Sequence, residues 1–128
     1  MSLEQKLHRA QQHLADVYDL GALTARQFTV LEYVTAQDGV TQTAIVQATG
    51  IDRSTIATMI AQMIKRGLVA RKRSRSDARA YFVAITDAGR AALKTAKPKI
   101  AKADREAMSQ LNKNQRLVLI AALDAIAS

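Results

Sequence analysis

Ser54, Thr55, Thr58 and Gln62 bring hydroxyl and carboxamide groups together within three helical turns, with no acidic residue among them. Such groups hydrogen-bond phosphate oxygens and base edges, and glutamine can pair with adenine. Arg53 precedes them. Arg71-Lys-Arg-Ser-Arg-Ser-Asp-Ala-Arg79 follows, a run dense in guanidinium groups. A guanidinium on a loop tip suits a narrow minor groove, where the negative potential is enhanced. This is the chemistry of polyanion recognition, not of bond making. No nucleophile–base pair, carboxylate dyad, phosphate-cradling glycine loop or metal-ligand cluster appears, so no enzyme, cofactor or metal is expected. His8 and His13 lack the spacing of a zinc pair and have no further histidine to complete a site. His13 is read as a surface residue, with a sensing role as the alternative.

The charge distribution agrees. The chain has 128 residues and a formal net charge of +8. Residues 1–50 are net −2, residues 51–80 net +6 and residues 81–128 net +4. The positive field therefore peaks on the residues named above, and a basic patch of this kind implies a polyanionic partner. Hydrophobic residues make up 48% and aromatics 4%, enough for a core built mainly from aliphatic side chains. The absence of cysteine excludes disulfides and thiol redox sensing. No signal-peptide pattern or membrane-length apolar run occurs, so a soluble cytoplasmic protein with no membrane partner is expected.

The elements that must hold these residues are legible from periodicity. Leu3, Leu7, Ala10, Leu14, Val17 and Tyr18 step by three and four, predicting an amphipathic helix over 3–19 that ends at Gly21. Thr24-Ala-Arg-Gln27 reads as a capping box opening a helix to about Thr35. Thr41 caps a short helix and is counted with the DNA-facing residues. Gly50 supplies a left-handed turn and Asp52 caps a second helix through the Thr55 region. On that second helix Ile56, Met59, Ile60 and Met63 fall on one side, and Ser54, Thr58, Ala61, Gln62 and Lys65 on the other. Gly67 closes it. Leu68–Arg73 and Ala80–Ile85 read as antiparallel strands around a short basic loop. Thr86 caps a long helix in which Pro98 predicts a kink, and Asn112-Lys-Asn-Gln115 opens a last one.

These residues together resemble the multiple-antibiotic-resistance regulator (MarR) family. Leu23-Thr-Ala-Arg-Gln-Phe-Thr-Val-Leu31 looks like its second-helix signature. Asp52-Arg-Ser-Thr, Lys65-Arg-Gly-Leu-Val69, Asp77-Ala-Arg79-Ala and Ile85-Thr-Asp-Ala-Gly89 are similar to its recognition helix, wing and linker helix. The resemblance covers roughly residues 20–95, with the outer helices matching in length and order. It implies an obligate homodimer whose N-terminal and last two helices interleave, and a repressor of transcription. In many members a small aromatic acid releases the DNA. It also implies that Arg79 enters the minor groove, with Asp77 orienting it. Arg73 and Arg75 are read equally well as DNA contacts or as a solvated loop, and Arg53 as a phosphate clamp or a solvated residue. The chain departs from the family at Thr58, where many members carry arginine, and at Ile64, which is commonly charged. The missing cysteine rules out the peroxide-sensing branch, and the missing tryptophan argues against branches whose pocket uses one.

The expected architecture is mainly α (α+β), a winged helix-turn-helix with N- and C-terminal dimerisation helices. Residues 1–20 and 90–128 form the helical dimerisation region, and residues 21–89 the DNA-binding region. The expected function is a dimeric, sequence-specific regulator, a repressor of a pseudo-palindromic double-stranded operator relieved by a small aromatic or lipophilic anion. Tyr18, Phe28 and Tyr33 are candidate effector contacts, with His13 or Arg26 as the polar anchor; the plainer reading makes the aromatics core. The rival function is a winged-helix module for an acidic protein or RNA.

Overall fold

The computed structural model describes residues 1–73 and 81–127. Arg75, Asp77 and Arg79 lie outside the described residues. The elements run α1 (Leu3–Val17), α2 (Ala25–Thr35), α3 (Gln42–Thr49), α4 (Arg53–Lys65), β1 (Val69–Arg73), β2 (Tyr81–Ile85), α5 (Asp87–Met108) and α6 (Lys113–Ala127). The expected winged helix-turn-helix order is present. The chain divides into two compact units, Leu20–Pro98 and Met1–Asp19 with Lys99–Ser128. Helix α5 runs on through Pro98, so its first half belongs to one unit and its second half to the other.

The Leu20–Pro98 unit has a real core. Phe28, Val30, Leu31 and Val34 from α2 are buried with Ile45 of α3, Ile56, Met59, Ile60 and Met63 of α4, Val69, Val83 and Leu93. Strands β1 and β2 are antiparallel, with Val69 opposite Ile85 and Arg73 opposite Tyr81. Val40 adds a third rung: its N–H donates to the Val83 carbonyl at 2.9 Å, and the Val83 N–H donates back at 2.7 Å. The base of the hairpin is thereby tied to the chain just ahead of α3.

Local chemistry sets the ends of these helices. Thr24 and Gln27 form the reciprocal capping box of α2. Helix α4 ends in a Schellman motif: the Leu68 N–H bonds the Met63 carbonyl and the Gly67 N–H bonds the Ile64 carbonyl, both at 2.9 Å. That use of Leu68 starts β1 one residue later than the sequence pattern suggests. Helix α1 also stops earlier than expected, with Tyr18 as C-cap. Leu20 is 3% exposed and bridges Leu23, so its burial turns the chain out of the helix before Gly21 is reached.

Helix α5 starts in close contact with the hairpin. The Thr86 N–H donates to the Leu68 carbonyl at 3.1 Å, and the Thr86 hydroxyl donates to the Gly67 carbonyl and accepts from the Gly89 N–H. A Cβ at Gly89 would run into the Leu68 carbonyl oxygen. Glycine is therefore required there for close approach of two backbones.

The other unit has little interior. Neither α1 nor α6 contains a buried residue, while Ala103 of α5 is buried. Leu3, Leu7, Leu117, Val118, Ile120, Leu123 and Ile126 are all more than half exposed. The Tyr18 hydroxyl donates to Asp104 Oδ1 at 2.6 Å. Desolvation, then the bond to Asp104 and the Asp104 charge, push the phenol up to about 12. The Arg116 guanidinium donates to the carbonyls of Met108 and Leu111, and Asn112 with Gln115 forms a capping box, so the α5–α6 turn is well hydrogen-bonded.

Candidate nucleic-acid interface

Helix α4 is anchored through one face and free on the other. Ile56, Ile60 and Met63 are fully buried and Met59 nearly so, while Ser54, Thr58, Ala61, Gln62 and Lys65 are exposed. Burying four such side chains stabilises the attachment by several kcal/mol, at roughly 1.5–3 kcal/mol each. The polar face is thus presented on a rigid element.

The turn ahead of α4 is fixed by backbone geometry. Thr41 caps α3, its oxygen accepting from the Ala44 N–H at 3.0 Å. Gly50 takes φ +71° and its N–H returns to the Val46 carbonyl. Only glycine adopts that conformation without strain. The Thr49 hydroxyl donates to the Ile45 carbonyl and accepts from the Ile51 N–H, carrying the chain from one helix to the next.

Asp52 caps α4 with both carboxylate oxygens. Oδ2 accepts from the Thr55 N–H at 3.1 Å and the Ser54 hydroxyl at 2.7 Å, and Oδ1 accepts from the Thr55 hydroxyl at 2.6 Å. The Thr55 hydroxyl, the Ser54 hydroxyl and the Thr55 N–H hold the carboxyl down to about 2. Ser54 remains exposed, whereas Thr55 is half-buried. Arg53 Nη1 donates to Thr43 Oγ1 at 3.0 Å, linking the first turns of α4 and α3. That pairing puts Thr43 beside the polar face, a position with no signal in the sequence because the partners are ten residues apart.

Basic side chains flank this face. Arg53, Lys65, Arg66, Arg71, Lys72 and Arg73 are all exposed, and Asp52 is the only acid between residues 42 and 73. The Arg71 guanidinium lies over the Tyr81 ring at 4.9 Å, which orients it without removing its charge. Lys72 Nζ is 3.6 Å from Asp38 Oδ1, an exposed pair of small energetic weight. Arg66 Nη2 donates to the Ala22 carbonyl at 2.8 Å, so this arginine buttresses the start of α2. Arg73 ends β1, and Arg75, Asp77 and Arg79 lie outside the described residues.

The structure brings Thr41, Arg53, Ser54, Thr55, Thr58, Gln62 and Arg73 into the Leu20–Pro98 unit. Within it Thr41 and Thr55 are committed to helix caps, and Ser54, Thr58 and Gln62 face outward. Arg26, Phe28 and Tyr33 belong to the same unit: Arg26 is exposed, Tyr33 half-buried and Phe28 part of the core. His13 and Tyr18 belong to the helical unit, the former exposed and the latter bonded to Asp104. Among the described residues no metal-binding cluster is found, and no helix is long and apolar enough to cross a membrane.

Comparison with known proteins places these features among relatives. A family model described as MarR family matches residues 23–80. The transcriptional regulator HosA of Escherichia coli O127:H6 is 33% identical over 107 residues, covering 83% of this chain and 79% of HosA. BpsR of Bordetella bronchiseptica, whose DNA binding is regulated by 6-hydroxynicotinic acid, superimposes with a TM-score of 0.91 at 26% identity, covering 99% of this chain and 94% of the other. The transcriptional repressor CouR bound to a 23-mer DNA duplex gives a TM-score of 0.85 at 33% identity, covering 99% of this chain and 93% of the other. CouR has also been captured with p-coumaroyl-CoA, again with a TM-score of 0.85, at 32% identity and with coverage of 98% and 91%.

Proposed function

The chain belongs to the MarR family of transcriptional regulators, and from that premise we propose that it is a homodimeric repressor that binds a specific DNA operator and releases it to a small aromatic or lipophilic anion. The observation that carries the DNA-binding part is the outward face of α4. It presents Ser54, Thr58, Gln62 and Lys65 from a helix locked into the core, with five further exposed cations, Arg53, Arg66, Arg71, Lys72 and Arg73, in the same unit. A helix so mounted reads base edges in the major groove, and the flanking cations neutralise phosphates.

The dimer is supported by the apolar stripes of α1 and α6, which neither helix buries within the chain. Contiguous exposed apolar surface of this kind marks an interaction site. A two-fold dimer reads a pseudo-palindrome whose half-sites lie about one helical turn apart. The Asp77–Arg79 sequence of the wing suits minor-groove entry beside each half-site. Repression and effector release are supported by the relatives: CouR is a repressor captured with p-coumaroyl-CoA, and BpsR responds to 6-hydroxynicotinic acid. An effector can release DNA only by binding the DNA-free conformation more tightly than the bound one.

The test is a gel shift on duplexes drawn from the promoter nearest the gene, with excess nonspecific competitor and a panel of aromatic acids and their CoA thioesters. Retention against competitor, lost on addition of one ligand class, is expected. Binding that competitor abolishes would favour a protein or RNA partner for the basic face. Retention unaffected by every ligand would make the protein a constitutive repressor.

A further inference from the structure

Resting on the DNA-binding reading above, we propose that Asp52 fixes the hydrogen-bond polarity of Ser54, so that Ser54 selects an amino-bearing base, adenine or cytosine, at one position of each half-site. Ser54 Oγ lies 2.7 Å from Asp52 Oδ2, and Thr55 Oγ1 lies 2.6 Å from Asp52 Oδ1. An ionised carboxylate has no proton to give, so both hydroxyls must be the donors. The carboxyl stays ionised far below neutrality, held at about 2 by these same bonds.

A serine hydroxyl has one proton and two lone pairs. With the proton committed to Asp52, the exposed Ser54 oxygen can only accept. Phosphate oxygens also only accept, so a direct Ser54–phosphate bond is excluded, and the adjacent Asp52 charge repels phosphate as well. In the major groove the donors are adenine N6 and cytosine N4; guanine and thymine present only acceptors and a methyl group there. Thr43 behaves oppositely. Its oxygen accepts from Arg53 Nη1, which leaves its own proton free for an acceptor such as phosphate. The start of α4 thus separates a base-reading oxygen from a phosphate-directed pair. Thr55, half-buried and bonded to the same carboxylate, belongs to the lock and not to the reading surface.

Enrichment of randomised duplexes by the full-length protein, followed by counting bases at each position, tests this. The wild type should show one column per half-site in which adenine or cytosine is preferred over guanine or thymine by about two- to ten-fold, the worth of one hydrogen bond. Ser54→Ala should flatten that column and leave the others unchanged. Asp52→Ser keeps a capping oxygen for the Thr55 N–H but releases the Ser54 proton, so the column should relax or turn toward guanine and thymine. Asp52→Asn still places one oxygen where it can take both the Thr55 N–H and the Ser54 hydroxyl, so it should keep the column although the charge is gone. Ser54→Ala that alters no column, or that flattens one preferring guanine or thymine, overturns the inference while leaving operator binding intact. Asp52→Ser and Asp52→Asn that behave alike at that column overturn the polarity lock. A wild type that enriches no site overturns the operator reading itself, and this inference with it.

Discussion

At the residue scale, Asp52 is the side chain whose ionisation the structure perturbs most clearly among the exposed acids of the described residues. Its carboxyl is held at about 2 in place of 3.8, first by the Thr55 hydroxyl and then by the Ser54 hydroxyl. The folded value is depressed, so the stabilisation is fully present above the unfolded value and is lost as pH falls through the folded one. Asp52→Asn caps the helix without titrating. The difference in melting temperature between wild type and Asp52→Asn should therefore be constant above about pH 5 and change progressively as pH falls from there through 3.8 to about 2. A difference that varies between pH 5 and 8 would mean another group governs the cap. Arg79 closes the Asp77-Ala-Arg79 sequence that lies in the chain between β1 and β2. Arg79→Ala should weaken operator binding by about 1–3 kcal/mol. Asp77→Ala should act in the same direction by freeing the arginine. A gel shift at moderate salt in which Arg79→Ala binds like wild type would remove the wing from the interface.

At the element scale, what the sequence made legible is whatever short-range chemistry decides. Thr24 with Gln27, Thr41, Asp52, Thr86 and Asn112 with Gln115 all cap helices as their spacing predicts, because a cap needs only residues three apart. The buried side of α4 follows from periodicity in the same way. What stayed hidden depends on partners distant in the chain: Arg53 with Thr43, Lys72 with Asp38, and Tyr18 with Asp104, 86 residues on. The early end of α1 was hidden for the same reason, since the pull on Leu20 comes from tertiary burial. Gly89 combines the two cases. Its place in Thr86-Asp-Ala-Gly89 is readable, but the reason for glycine is the Leu68 carbonyl against which α5 starts. Gly89→Ala should destabilise the protein by about 1–3 kcal/mol through this overpacking, despite alanine's better helix propensity. Urea unfolding would measure it, and an unchanged or raised midpoint would show that the two backbones can move apart freely.

At the scale of the whole molecule, the question is what α1 and α6 are for. The Leu20–Pro98 unit buries a full set of aliphatic side chains, yet in the other unit Leu117, Ile120, Leu123 and Ile126 stay between 52% and 80% exposed. A chain that buries so little of α6 gains from it only when another surface covers it, and a second copy offers the same stripe. Because these side chains are already exposed in the single chain, polar substitutions there should cost the lone protomer little. They should cost the dimer a great deal, because each places a charge in a desolvated interface. The double variant Ile120→Glu, Leu123→Glu is therefore expected to sediment as a monomer at micromolar concentration where wild type sediments as a dimer. Its helical content should stay near that of wild type. Operator affinity should fall on the order of 100-fold or more, because two linked half-site contacts become independent and the effective concentration that joined them is lost. Binding to a single half-site, weak in both proteins, should differ little between them. A variant that remains dimeric and binds the full operator like wild type would move the interface off α6. A wild type that is itself monomeric, yet discriminates full operator from half-site, would require the two recognition helices to assemble only on DNA.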